Sequence, residues 1–261
     1  MPDLDRATAQ AWIDRWDRQQ EENLPDREER FTALIDAVEA AVGRDDPLIL
    51  DLGCGPGSLA IRLLDRIPGA NVIGIDADPV TLALGQAAYG ATYENLRFID
   101  LDLRVPGWSS RLPEKADAAV STTALHWLYE PELIALYKEL ATVLKPGGLL
   151  LDGDHFQVNE RESPILARLD RAVRQRENTR RFPDGHAESW YGWWEAVTAD
   201  PLLREFATER QRRRVEAGHH DAESTHLATH VNALKAAGFA EIGTLWQRGD
   251  NRLLCAALAE A

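Results

Sequence analysis

The sequence predicts an α/β fold, in which a doubly wound, mostly parallel sheet of seven strands ends in an antiparallel hairpin and carries a helical cap. Three observations lead to this prediction. Short apolar runs alternate with amphipathic helices over residues 48–151, as in successive β-α-β units. A glycine-rich turn follows the first of these runs. Near the end of the chain, residues 241–246 and 252–258 form two strands joined by a short turn, which can only pair antiparallel.

The parallel strands are predicted from short apolar runs without helical period, the pattern of strands buried on both faces. They lie at residues 48–52, 71–75, 96–99, 116–120 and 149–151. Amphipathic patterns between them predict helices at 58–67, from Pro79 onward, and at 131–144. The segment 145–148, Lys-Pro-Gly-Gly, is predicted to end the last of these helices before the fifth strand begins.

Two regions outside this alternation predict the cap. Residues 1–47 form one or two polar helices, residues 153–223 contain no clear strand, and a helix resumes near Ser224. We therefore expect three parts. They are an N-terminal helical cap (1–47), a Rossmann-like ligand-binding domain (48–152 and 224–261) and a helical cap insertion that recognises a second ligand (153–223).

Composition restricts the class of protein. The 261 residues include 29 basic and 43 acidic side chains, a formal net charge of −14, and 44% hydrophobic residues, enough for a full core. The acidic excess argues against a nucleic-acid partner and against an anionic membrane surface, because phosphate binding depends on Lys and Arg. The sequence has no apolar leader, no membrane-spanning window and only two cysteines, without zinc spacing. We therefore expect a soluble, cytoplasmic protein.

The glycine-rich turn after the first strand is the first candidate ligand site. Gly53 and Gly55 let the backbone approach a ligand closely, and the following helix presents free N–H groups at its start. In a dinucleotide fingerprint, G-x-G-x-x-G, the last glycine would fall at Ser58. No Lys followed by Ser or Thr is present, which excludes a nucleoside-triphosphate P-loop. A nicotinamide-dependent oxidoreductase stays open as an alternative.

Acidic side chains mark the ends of the next strands. Asp76 ends the second strand, where a carboxylate can accept hydrogen bonds from both ribose hydroxyls of an adenosine and repels a 2′-phosphate. Asp100-Leu101-Asp102-Leu103 stands at the end of the third strand, where an acid beside an apolar residue could read the adenine amino group. Ser121 follows the fourth strand. All of these positions lie at the strand ends where open α/β sheets bind ligands.

Six segments occur in the order and with the spacing of one enzyme family: LILDLGCGPGS (48–58), VIGIDADP (72–79), LRFIDLDL (96–103), ADAAVSTTALHWL (116–128), LATVLKPGGLLL (140–151) and LKAAGFAEI (234–242). The sequence resembles the class I S-adenosylmethionine-dependent methyltransferases over residues 45–152 and 224–258. The Ala-Leu-His-Trp-Leu segment at 124–128 is similar to that of the small-molecule branch that includes trans-aconitate methyltransferase.

The resemblance implies roles for individual residues. The three glycines would lie against the methionine part of the cofactor, Asp51 would orient its amino group, and Arg30 would meet a carboxylate of cofactor or substrate. The implied cofactor-binding residues are Arg30, Asp51, Gly53, Gly55, Gly57, Asp76, Ala77, Asp102, Leu103 and Ser121. The cofactor would be S-adenosyl-L-methionine and the product S-adenosyl-L-homocysteine.

Candidates for acceptor chemistry are less specific. His126 and His155 follow strand ends and are candidate general bases for a hydroxyl acceptor, or residues that only shape the pocket. Five tryptophans could form an acceptor pocket or pack the cap onto the core: Trp12, Trp16, Trp127, Trp190 and Trp194. The arginine run at 210–214 predicts a solvated helix face. His219-His220-Asp221 lacks metal-ligand spacing, so we predict no metal.

We therefore predict a methyltransferase that acts on a small organic acceptor. A carboxylate or hydroxyl oxygen is favoured as the acceptor atom, and nitrogen or carbon is possible. The arginine-rich segment 171–214, with ten Arg and seven acidic residues, is compatible with an anionic acceptor. A nicotinamide oxidoreductase and a cofactor-binding protein without transferase activity are the alternatives, and the oligomeric state is left open.

Overall fold

The computed structural model describes residues 4–24, 26–183, 188–216 and 226–260. Seven strands form one sheet in the order β3-β2-β1-β4-β5-β7-β6. Their bounds are β1 Leu48–Leu52, β2 Asn71–Asp76, β3 Leu96–Asp100, β4 Ala116–Thr122, β5 Leu144–His155, β6 Phe239–Arg248 and β7 Asn251–Leu258. The predicted doubly wound α/β fold is confirmed.

Strand pairing follows the predicted topology. Strands β1 to β5 pair in parallel, whereas β7 pairs antiparallel with both β5 and β6. The chain leaves β1 toward β2 and β3 on one side, then returns to lay β4 on the other side of β1. This reversal opens a crevice at the carboxyl ends of β1 and β4, which is where such sheets bind ligands.

Nine α-helices occur within the described residues. Their bounds are α1 Arg6–Asn23, α2 Arg27–Ala41, α3 Ser58–Arg66, α4 Pro79–Tyr89, α5 Glu130–Val143, α6 Pro164–Arg181, α7 Trp190–Ala199, α8 Arg204–Glu216 and α9 Leu227–Ala237. No helix of the described chain is both long and apolar enough to cross a membrane.

Helices cover both faces of the sheet. On one face, α2 and α3 bury Phe31, Leu34 and Leu63 against strand residues such as Ile49. On the other face, α5 and α9 pack apolar side chains such as Tyr137 against the same strands. Most of helix α2 therefore belongs to the core of the sheet, although the sequence placed the helix in the N-terminal cap. Its first turns also reach the crevice, through the buried side chains of Arg27 and Phe31.

The cap consists of helices that pack on α4 rather than on the sheet. Side chains of α1, α7 and α8 form one apolar cluster with α4, in which Ile13, Leu84 and Phe206 are buried and Trp193 is fully buried. This packing holds α1, α7 and α8 beside the carboxyl ends of the strands, so that the crevice has a second wall.

Two predicted boundaries differ from the structure. Strand β5 begins at Leu144, which pairs with Ala116, and the next pair is Leu149 with Ala118. The segment 145–148 is therefore an irregularity inside β5, with Gly147 at φ 72°, rather than a turn before it. The last helix, α9, begins at Leu227; the predicted start at Ser224 lies outside the described residues.

Candidate functional site

A cavity of about 660 Å³ lies at the carboxyl ends of the parallel strands, between the sheet and the cap. Its floor comes from the glycine-rich turn and from the ends of β2, β3 and β4, and its roof from α1, α7 and α8. This volume is within the range of small-molecule and cofactor sites. The cavity contains most of the predicted cofactor-binding residues, including Asp51, Gly53, Gly55, Ala77 and Leu103.

The glycine-rich turn needs its glycines for different reasons. Gly53 has φ 69°, and a Cβ there would lie 2.3 Å from the Cβ of Ala124. Gly57 has φ 89° and lies against the ring of Phe98, so its role is in packing rather than in lining the cavity. At Gly55, with φ 54°, an added Cβ would meet no atom within 4 Å. The turn therefore leaves open space above Gly55 for a ligand.

Two carboxyl groups face this space without a cation between them. Asp76 accepts hydrogen bonds from the backbone N–H of Gly55 at 2.7 Å and of Asp78 at 2.8 Å, which fixes its orientation. Burial, reinforced by the charge of Asp78, raises the pKa of Asp76 to about 6. Burial and the charge of Asp76 raise the pKa of Asp51 to about 7, and Asp51 Oδ2 has no hydrogen-bond partner within the described chain. The pair suits a ligand with a cationic group and several hydroxyl donors.

The acids after β3 are held by two different arginines. Asp102 accepts a hydrogen bond from the backbone N–H of Arg104 at 2.9 Å and from its guanidinium at 2.6 Å. Asp100 instead accepts hydrogen bonds from both terminal nitrogens of Arg213 in α8, at 2.7 and 2.9 Å. Both acids line the cavity. The choice of Asp102 over Asp100 for the adenine therefore stays a prediction.

The arginine-rich helix α8 closes the cavity from above. Arg210 Nε donates a hydrogen bond to Asp78 Oδ2 at 2.5 Å, and the guanidinium carbon lies 3.5 Å from the ring centroid of Trp194. Arg213, besides its bonds to Asp100, donates to the carbonyl oxygen of Ala77 at 3.0 Å. The prediction of a solvated face is therefore wrong for these two arginines, because acids at the strand ends pair with them across the crevice.

Besides Gly57, two predicted cofactor contacts lie outside the cavity. The Ser121 hydroxyl is fully buried and donates to the carbonyl oxygen of Leu52 at 2.8 Å, which ties β4 to β1. The Arg30 guanidinium is also fully buried and donates to Asn251 Oδ1 at 2.6 Å. Burial lowers the pKa of Arg30 to about 10 despite the charge of Asp154. Because both side chains form hydrogen bonds inside the protein, the structure does not support their predicted contact with the cofactor.

The two candidate histidines each contact a carboxylate, and neither ring lines the cavity. His126 Nδ1 lies 2.8 Å from Asp154 Oδ2; burial alone would lower the pKa of His126, but the charge of Asp154 raises it. His155 Nδ1 lies 3.1 Å from Asp250 Oδ1, and Asp250 also pairs with Arg174 at 2.7 Å. The expectation that both rings face the cleft is therefore not supported.

A buried polar cluster behind the cavity was not predicted. The Tyr137 hydroxyl lies 2.6 Å from His230 Nδ1, and burial lowers the pKa of His230 to about 4. Burial and the neighbouring charge of Asp154 raise the pKa of Asp152 well above its usual value. The one available signal was the pair Asp152 and Asp154, two acids that directly follow the apolar run at 149–151.

Four of the five predicted tryptophans line the cavity: Trp16, Trp127, Trp190 and Trp194. We call these four the tryptophan wall. Trp12 lies outside it, with its ring edge against Trp193 at 5.7 Å between centroids and its Nε1 donating to Asp200 at 3.2 Å. Trp12 therefore packs the cap together, which was the alternative considered for these residues.

Arg27 is the cavity residue that sequence reasoning missed. Its side chain is only 5% exposed, Nη2 donates to Asp17 Oδ1 at 3.0 Å, and the guanidinium lies 4.6 Å over the ring of Phe31. Nη1 has no hydrogen-bond partner among the residues described. Arg27 lies three residues before Arg30 on helix α2. The sequence shows two arginines on one helix but does not show which of the two side chains faces the cavity.

His219, His220 and Asp221 lie outside the described residues. Within residues 4–24, 26–183, 188–216 and 226–260, no group of three or more His, Cys, Asp or Glu side chains is arranged to hold a metal ion.

Comparison with known proteins gives a consistent likeness. Residues 49–148 match a family model described as a methyltransferase domain. A trans-aconitate 2-methyltransferase from Azoarcus sp. is 30% identical over 162 residues, 59% of each chain. One from Escherichia coli is 34% identical over 103 residues, 39% of this chain and 36% of the relative. The chain thus spans between about a third and three fifths of the curated relatives it matches.

Solved structures show the same fold at lower identity. The S-adenosylmethionine-dependent methyltransferase SibL in its apo form is 16% identical with a TM-score of 0.57, covering 88% of this chain and 55% of SibL. Magnesium protoporphyrin IX methyltransferase from Synechocystis, solved with bound S-adenosylmethionine, is 17% identical with a TM-score of 0.54, covering 95% of this chain and 91% of that enzyme.

Proposed function

We propose that this chain, whose residues 49–148 match a family model described as a methyltransferase domain, is a class I S-adenosylmethionine-dependent methyltransferase that transfers a methyl group to a small organic acceptor. The observation that supports this most strongly is the pair of buried carboxyls, Asp51 and Asp76, which face open space above the glycine-rich turn. S-adenosyl-L-methionine is the cofactor that this class uses, and S-adenosyl-L-homocysteine is its product.

The residues around this space fit the chemical groups of the cofactor. The unpartnered Asp51 oxygen suits the methionine amino group, a cation. Asp76 has its oxygens oriented by Gly55 and Asp78 and suits the two ribose hydroxyls. Ala77, Asp102 and Leu103 form the cavity wall next to these residues and are assigned to the adenosine end. We exclude Arg30, Gly57 and Ser121 from direct contact, because their side chains or Cβ positions face the interior.

The sulfonium of the bound cofactor supplies an already activated methyl carbon. The protein's own contribution is to bind the acceptor, orient it in line and exclude water from the reacting pair. Helices α1, α7 and α8 close the cavity above the strand ends, so we assign acceptor recognition to the cap and cofactor binding to the sheet domain. Within the N-terminal 47 residues, this assignment includes α1 and the start of α2.

A general base is needed only for an acceptor that arrives protonated. His126 is our candidate for that case, since its ring lies 5.2 Å from the ring of Trp127, a cavity residue, and Asp154 orients it. Neither histidine ring lines the cavity, and His155 is given no role in methyl transfer because its ring contacts Asp250, which also pairs with Arg174. A carboxylate acceptor would need no base.

The nicotinamide alternative is disfavoured by contacts at Ser58. This residue stands where a dinucleotide fingerprint has its third glycine, and its hydroxyl donates to Asp17 of the cap at 2.6 Å. A cofactor-binding protein without activity is tested only by turnover. A cytoplasmic location and the absence of a nucleic-acid partner stay predictions from the sequence.

Calorimetric titration tests the cofactor assignment. We expect the purified chain to bind S-adenosylmethionine and S-adenosylhomocysteine with one site per chain, and to show no heat with NADH. Saturable NADH binding together with no response to either S-adenosyl compound would contradict the proposal and favour the oxidoreductase.

The pH dependence of cofactor binding provides a second test. With a pKa of about 7, Asp51 is partly protonated near neutral pH in the free protein. A cationic amino group beside it favours the carboxylate and lowers this pKa, so binding releases a proton. The affinity should therefore fall as the pH drops below 7, by up to about tenfold per pH unit. Titration in buffers of different ionisation enthalpy measures the released proton, and Asp51→Asn should abolish the release. A constant affinity between pH 6 and 8 would contradict this role of Asp51.

A further inference from the structure

The half of the cavity nearest the cap has an aromatic surface. In the tryptophan wall, the ring of Trp16 lies 5.3 Å from that of Trp190 and 6.3 Å from that of Trp194, between centroids. Trp127 and Leu128 contribute from the loop after β4. Such a surface binds flat, apolar groups through burial and offset or edge-to-face ring contacts.

One cationic donor in this half is buried without an acceptor. Arg27 is linked through Asp17 to the helix that carries Trp16, and it stacks over Phe31, another cavity residue. Its Nη1 forms an ion pair with Glu28 Oε1 at 3.6 Å but makes no hydrogen bond within the described chain. The Trp194 indole N–H is likewise buried with no acceptor there. Buried donors of this kind normally have partners, and leaving them unpaired costs free energy.

The other arginines are already engaged. Of the five arginines that line the cavity within the described residues, Arg104, Arg210 and Arg213 pair with Asp102, Asp78 and Asp100. Arg214 also has an interaction partner. A ligand with several negative charges would have to compete with these aspartates. A ligand with a single negative charge needs only Nη1 of Arg27, which makes no hydrogen bond within the described chain even though the guanidinium also pairs with Asp17 and Glu28.

We infer that the acceptor is a monocarboxylic acid with a flat, apolar body. Its carboxylate accepts hydrogen bonds from Arg27 Nη1 and the Trp194 indole, and its body lies on the tryptophan wall. This inference rests on the proposed methyltransferase function and adds the substrate class. It separates this chain from the curated relatives, whose named substrate, trans-aconitate, carries three carboxylates.

The test uses the full chain saturated with S-adenosylhomocysteine and four probes: trans-cinnamate, its neutral amide, acetate and trans-aconitate. Calorimetry should show cinnamate binding about tenfold or more tightly than cinnamamide, because the amide loses a charged hydrogen bond. Cinnamate should also bind more tightly than acetate, which lacks the apolar body. It should bind more tightly than trans-aconitate, whose additional charges would compete with the cavity aspartates. Equal affinity for acid and amide, tighter binding of trans-aconitate, or binding of none of the four would overturn the inference.

Variants assign the effect to Arg27. Arg27→Met should bring cinnamate and cinnamamide to within about twofold of each other, while Arg27→Lys should retain part of the preference. Arg66→Met is the matched control, since it removes an exposed arginine paired with Asp36 on the far end of α3. It should change none of the affinities.

The affinity for S-adenosylhomocysteine distinguishes the two proposals. It should be unchanged in Arg27→Met, which also shows that the variant is folded. Arg27→Met could instead lose both its affinity for S-adenosylhomocysteine and its preference for cinnamate over cinnamamide. In that case Arg27 holds the carboxylate of the cofactor and the inference is wrong. If the unmodified chain binds no S-adenosylhomocysteine at all, it is the proposed function that fails.

Discussion

Replacing Asp154 by asparagine is expected to lower the free energy of unfolding by about 3 to 5 kcal/mol, the usual effect of removing one partner of a buried ion pair. Asp154 is 2% exposed and lies 2.8 Å from His126. Burial alone would raise the pKa of Asp154, but His126 and Arg30 hold it well below its usual range. The asparagine keeps the size of the side chain but removes the negative charge that acts most strongly on the buried Arg30 guanidinium. Urea unfolding at pH 7 measures the change.

The same carboxylate predicts a dependence on pH. Because the pKa of folded Asp154 lies below its ordinary value of 3.8, its stabilising effect is present above about pH 4 and is lost as the pH falls through the folded pKa. The difference in stability between the native chain and Asp154→Asn should therefore shrink in acid. Asp36→Asn, an exposed partner of Arg66, is the control and should leave the unfolding midpoint unchanged. Equal effects of the two variants would contradict the role of Asp154.

Replacing Asp76 by alanine is expected to weaken S-adenosylmethionine binding by about 1 to 3 kcal/mol, or roughly 5-fold to 150-fold, because hydrogen bonds to a charged acceptor are lost. Asp76 also orients the turn, since Gly55 and Asp78 donate to it. Asp76→Asn keeps one oxygen acceptor and should fall between the native chain and the alanine variant. Calorimetry measures both.

The matched control for Asp76 is Asp65→Ala, which removes an exposed acid that accepts a hydrogen bond from the Tyr93 hydroxyl. It should leave the affinity for the cofactor unchanged. Unchanged affinity in Asp76→Ala would remove Asp76 from the ribose-binding role and leave the cavity without its main acceptor for the cofactor hydroxyls.

The parallel sheet could be predicted from sequence because a strand buried on both faces has a pattern that few other segments share. Leu48–Leu52 and Asn71–Asp76 appear as short apolar runs, and the glycines and acids that follow them mark the strand ends. Helix α2 was placed in the cap because its sequence shows an amphipathic helix but not the surface that its apolar side covers. The irregularity at 145–148 was missed because Lys-Pro-Gly-Gly is compatible with both a turn and a bulged strand.

Within the site, residues whose role depends on the backbone were predicted better than those whose role depends on side-chain direction. Asp51, Asp76 and Gly55 follow from strand ends and a tight turn, which local sequence determines. Arg27 and Arg30 differ by three positions, slightly less than one helical turn, and one faces the cavity while the other is buried behind β5. The cross-crevice pairs of α8 could not be predicted, because they depend on how the cap packs on α4.

A crystal structure of the chain with S-adenosylhomocysteine bound tests the central claim most directly. We predict that the ribose hydroxyls lie within hydrogen-bond distance of Asp76, that the amino group lies at Asp51, and that the thioether sulfur faces the tryptophan wall and Arg27. A nucleoside bound elsewhere, or bound in this cavity with its sulfur turned away from the tryptophan wall, would contradict the account.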